Sequence, residues 1–114
     1  HNIIVAGASN KDMAAAVEVL EKQKGGMAAI LDGKVLAAIP LPIAGLMSDK
    51  PAAEVDAALD DLYDKARSLL GVSTDVDVIM TLCFMSLPVI PKLKLLDTGL
   101  FDVEAFDFVP VELS

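Results

Sequence analysis

The sequence predicts an α/β fold of the α+β kind, a mixed β-sheet with two to three helices packed on it. Three observations predict it. Two apolar runs, residues 27–31 and 34–39, meet at Asp32-Gly33, a pair that favours a two-residue hairpin turn. Downstream, Val55, Leu59, Leu62, Ala66 and Leu69 keep the 3.6-residue period of an amphipathic helix. The composition is 54% hydrophobic but only 4% aromatic, so Ala, Leu, Val and Ile do the packing, as in a close-packed α/β layer.

The elements follow in chain order. Residues 2–6 hold Ile3, Ile4 and Val5 in one run, a short buried strand that Gly7 ends. Ser9 and Asp12 are spaced as a capping box. The helix behind it carries Met13, Val17 and Leu20 on one face and runs to about Lys24, where Gly25-Gly26 stops it. The Asp32-Gly33 hairpin comes next, with alanines on both strands and both faces expected to be covered.

Residues 35–47 then carry no charge and no hydrogen-bonding side chain, yet Pro40, Pro42 and Gly45 interrupt them. Proline bars regular pairing there and biases Ile39 and Leu41 towards extended backbone. The stretch reads as a stiff connector packed against other protein, because an exposed version invites aggregation. Ser48 or Asp49 is expected to cap the long helix, with Pro51 in its first turn and Gly71 at its close. Glu54, Asp56, Asp60, Asp61 and Asp64 form its solvated side. Residues 78–87 fit a buried helix better than a buried strand. Residues 93–96 and 106–111 are expected strands, with Asp97-Thr98-Gly99 turning between them.

At 114 residues the chain forms one domain, 1–114, able to bury roughly 65% of its unfolded surface. Both greasy runs, 35–47 and 78–90, are too short and too interrupted to span a bilayer. Seventeen acidic against nine basic residues give a formal charge of −8, which repels phosphates, so neither nucleic acid nor a membrane is an expected partner. The single cysteine, Cys83, rules out an internal disulfide, fits a reducing compartment, and is expected to be buried. The chain opens on an apolar run without an initiator methionine, as a piece of something longer would.

A self-sufficient active site is missing from the pattern. A metal centre needs several converging ligands, and His1 is the one histidine. The zinc deaminase signature needs a P-C-x-x-C, and there is no second cysteine. No Ser/His/Asp set forms without the terminal histidine, and Gly7-Ala8-Ser9 falls short of a dinucleotide fingerprint. The catalytic list and the metal-ligand list are therefore both empty. Ser48 and Asp49 stand before a helix N-terminus, which suits capping first and a ligand second.

Several passages together resemble the C-terminal domain of bacterial-type adenine deaminase: "HNIIVAG" at 1–7, "DMAAAV" at 12–17, "PLPIAGLMSDKP" at 40–51, "MTLCFMSLPVIPKLKLLDTGLFDV" at 80–103 and "FDFVPV" at 106–111. The resemblance implies a cytoplasmic enzyme of purine salvage that hydrolyses adenine to hypoxanthine and ammonia. It further implies a (β/α)8 barrel of the amidohydrolase type, holding a divalent manganese, iron or zinc ion that activates water. None of that family's ligand motifs falls within these residues. The expectation is an accessory domain, inactive in isolation and needing no cofactor of its own. Its N-terminal part and the catalytic barrel lie on polypeptide outside the chain. The expected partners are that barrel, adenine for the whole enzyme, and a homo-oligomer. His1 and Asn2 match the end of the family's histidine-rich "HDSHN"-like stretch. With Ser48 and Asp49 they are the candidates for a pocket wall or interface. By themselves the residues leave another reading open, a stand-alone small-ligand-binding or oligomerisation module without a catalytic role.

Overall fold

Ser9 starts the first helix as the sequence proposes: its hydroxyl accepts the Asp12 N–H at 3.2 Å and its carbonyl accepts the Met13 N–H at 3.0 Å. In this computed structural model, which describes residues 2–113, that helix is α1 (Asn10–Gln23). It is followed by β1 (Gly26–Leu31), β2 (Lys34–Pro40), α2 (Ala52–Ser68), α3 (Val78–Met85), β3 (Leu93–Leu96), β4 (Gly99–Asp102) and β5 (Asp107–Val109). The class is α+β. Its strands divide between two antiparallel sheets, β1-β2 and β3-β4-β5, instead of forming one mixed sheet. The connections within each sheet are short turns, and short turns allow only antiparallel neighbours. Among the described residues no helix is long and apolar enough to cross a membrane.

The chain falls into two compact units, one spanning Val5–Val76 and the other joining Asp77–Ser114 to His1–Ile4. In the first, the hairpin unit, α1 packs on β1 and α2 on β2. Its core is Ala16, Ala29, Ile30, Ile39, Leu62 and Ala66. Alanine at half of these positions lets the helices approach the strands closely, which is why so few aromatics suffice. Asp32 and Gly33 take φ of 51° and 74°, the left-handed pair that a tight hairpin requires. A bulge between Ala29 and Ile30 leaves Leu36 without a cross-strand partner. The Lys65 ammonium donates to the freed Leu36 carbonyl at 2.9 Å and to Asp61 at 2.8 Å, tying α2 to β2. Val35 on β2 stays exposed, so the cover expected over both faces of both strands is incomplete.

The second, the meander unit, holds α3 and the β3-β4-β5 sheet. Asp77 caps α3 by accepting the Met80 N–H at 3.0 Å. Phe101 meets Phe106 and Phe108 edge to face, with centroids 5.5 and 5.2 Å away. A helix stands within the expected 78–87, ending at Met85, but none of its residues is buried, contrary to expectation, and the strand expected over 93–96 is present. Strand β4 was not anticipated: Gly99 opens it, paired with Leu96, instead of ending a turn. Residues 2–6 form no strand, because no described strand takes their backbone hydrogen bonds, and Ile3 is exposed.

Candidate functional site

The stretch from Pro40 to Pro51 carries the candidates Ser48 and Asp49, and its geometry begins at Gly25. Gly25 (φ 107°) lies so close to the connector that a Cβ there would sit 2.6 Å from the Gly45 Cα. The Leu41 N–H donates to the Gly25 carbonyl at 3.3 Å, anchoring the start of the connector on the end of α1. Beyond Pro42 the chain closes into a small hairpin. Ile43 and Met47 exchange both backbone hydrogen bonds at 3.1 Å, and the Leu46 N–H reaches the Ile43 carbonyl at 3.0 Å. Ala44 and Gly45 turn the tip with φ of 57° and 72°. A left-handed alanine is unfavourable by roughly 1–2 kcal/mol, so this tip is held by its surroundings.

The expectation of a connector packed within the domain fails at this tip. Ile43 and Met47 are exposed, and Leu46 is 67% exposed. The backbone hydrogen bonds of residues 43–47 turn inward on one another, so the tip is held by its own backbone.

Ser48 and Asp49 also differ from expectation. Helix α2 starts at Ala52 with Pro51 in the capping position and no side-chain cap. The Pro51 carbonyl accepts the Glu54 and Val55 N–H groups at 3.0 and 3.2 Å. Ser48 lies too far upstream to reach them. Its hydroxyl instead accepts the Lys50 N–H at 3.0 Å, fixing the exit from the connector. Asp49 is exposed beside it. Asn2, in the meander unit, donates to the Asp97 carboxylate at 3.2 Å and is thereby tied to the β3–β4 turn. His1 lies outside the described residues. Asn2 on the one hand, and Ser48 with Asp49 on the other, belong to different units.

Among the described residues, no three His, Cys, Asp or Glu side chains gather so as to hold a metal ion. The described side chains thus bring together no ligand set of the kind that the divalent ion implied by the family resemblance would use. Cys83, expected to be buried, is exposed on α3. Its helix is apolar all round and short, so part of that apolar surface necessarily faces out.

Sequence reasoning missed one polar device. The Asp12 carboxylate does not return to the helix N-terminus as a capping box would have it. It accepts the Asp32 N–H at 3.1 Å and the Gly33 N–H at 2.8 Å, clamping the β1–β2 turn to α1. The pairing spans twenty residues of sequence, and no local pattern announces it.

A family model described as the adenine deaminase C-terminal domain matches residues 1–107. Adenine deaminase 2 of Desulfotalea psychrophila is 53% identical over 112 residues, covering 98% of this chain and 19% of that protein. Adenine deaminase 2 of Carboxydothermus hydrogenoformans is 54% identical over 113 residues, covering 99% and 20%. Adenine deaminase of Bacillus subtilis is 45% identical over 112 residues, covering 98% and 19%. The chain spans about a fifth of the length of these curated relatives.

Proposed function

This chain belongs to the adenine deaminase C-terminal domain family, and from that premise we propose that it is the accessory part of an enzyme hydrolysing adenine to hypoxanthine and ammonia. The observation that carries the reading is the family match over residues 1–107, together with relatives about five times as long that share nearly the whole chain. The whole chain acts as one domain, making up most of the family's C-terminal region. It supplies scaffold and interface, and the metal centre lies on the catalytic barrel of the same polypeptide. The ion there is manganese, iron or zinc. The enzyme works in the cytoplasm, in purine salvage, as a homo-oligomer. Ser48 and Asp49 at the exit of the connector, with His1 and Asn2, contribute to an interface or an outer pocket wall; none of them is catalytic.

Ammonia release from adenine is the test. The full-length protein supplied with manganese or iron turns over, and residues 1–114 alone do not. Turnover by the isolated chain, or none by the full-length protein, overturns the reading.

A further inference from the structure

We propose that the 43–47 hairpin is a preformed knob that seats in an apolar recess elsewhere on the same full-length polypeptide. The inference rests on the reading of this chain as the accessory part of a longer enzyme, and adds which surface makes the joint.

Three features single the hairpin out. It is rigid, with its base stitched by the two Ile43–Met47 backbone bonds and its neck bounded by Pro40 and Pro42. The Ser48 turn fixes its exit, and the fit of Gly25 against Gly45 fixes its position on α1. It is strained, with Ala44 held left-handed at the tip. It is also apolar and exposed: Ile43, Leu46 and Met47 all stand in solvent. Ordering a loop and then leaving its large apolar side chains wet is doubly unfavourable unless something covers them. A rigid anchor loses little entropy on docking, which suits it to insertion.

Size chooses the occupant. Three side chains fall far short of the ~800 Å² per partner that a standard intermolecular interface buries. A covalently attached surface needs much less, because attachment raises its effective concentration to the order of millimolar. About four-fifths of each relative lies outside the segment matched here, ample polypeptide to form the recess.

The experiment uses the full-length enzyme with p-benzoylphenylalanine in place of Leu46. Irradiation is expected to give an intramolecular cross-link, of monomer mobility, to a peptide outside residues 1–114. A cross-link to a second copy, one confined to residues 1–114, or none at all overturns the proposal. Leu46→Glu is expected to lower the Tm of the full-length enzyme by about 3 °C or more. Val35→Glu, on another exposed apolar residue of the same unit, is the control, and equal shifts also count against the knob. Adenine hydrolysis by the unsubstituted enzyme is measured in the same preparation. Failure there sinks the functional reading by itself, while the cross-link still reports on the knob.

Discussion

Leu62 in the hairpin unit is 2% exposed, and Leu95 in the meander unit is 71% exposed. The same contrast holds more widely. Every buried apolar residue among those described lies in the stretch from Ala16 to Ala66, whereas among the described residues of the meander unit only Ser86 is buried. Met80, Phe84, Met85, Val89, Leu93, Phe106 and Phe108 all face solvent there. The difference teaches what each unit has to work with. Two amphipathic helices on a hairpin close a core of alanines and branched residues. The meander unit has about 40 residues, a three-stranded sheet and one short apolar helix, near the lower limit for a self-sustaining domain. Its apolar surface is in excess of what it can cover.

Hydrogen exchange on this chain gives the largest expected effect. Amides of β1, β2 and α2 are expected to exchange at least about a thousandfold more slowly than those of α3 and β3–β5, since local opening is easy where little apolar surface is buried. Uniform protection along residues 2–113 would break the comparison. Next comes Leu62→Ala, which empties the most buried large position and is expected to lower stability by about 3 kcal/mol in urea denaturation. A loss under 1 kcal/mol would mean that the hairpin unit lacks the core described. Gly26→Ala is expected to cost about 2 kcal/mol. The backbone there has φ of 120°, and an added Cβ would run into the Ile39 carbonyl. An unchanged melting curve would show that β1 and β2 do not meet at that end.

The same contrast governs what could be read from the sequence. In the hairpin unit each element has a local signature: Ser9 before α1, Asp32-Gly33 between the strands, and the 3.6-residue period of α2. Where the reading failed, the determinant was distant or ambiguous. Gly99 is as good a turn residue as a strand opener, and only its pairing with Leu96 decides between them. The run at 3–5 has strand composition but no described strand to pair with. Ser48 and Asp49 carry good capping side chains, but Pro51 sets the helix start three and two residues later. The exposure of Leu46 and of Cys83 depends on what stands opposite them, and a hydrophobic run does not encode that. The acid at position 12 was legible as a helix-start residue. Its grip on the hairpin turn was not.

That grip offers a smaller test. Asp12→Ala removes two charge-assisted acceptors from the turn at an exposed site, so a loss of about 1 kcal/mol is expected. Asp12→Asn keeps one acceptor oxygen and is expected to fall between. If the alanine variant matches the original chain, the β1–β2 turn is held by its Asp-Gly backbone preference alone.

Leu95→Ala carries the smallest expected effect and completes the matched pair with Leu62. The two substitutions delete the same atoms, so their difference isolates burial from side-chain chemistry. At 71% exposure little transfer free energy is lost and no cavity forms, so the change in stability stays within about 0.5 kcal/mol. A loss approaching that of Leu62→Ala would mean that the face of β3 is covered in solution. Repeating the measurement at several protein concentrations then identifies the cover. A loss that grows with concentration assigns it to association of copies, since a contact within one chain is indifferent to dilution.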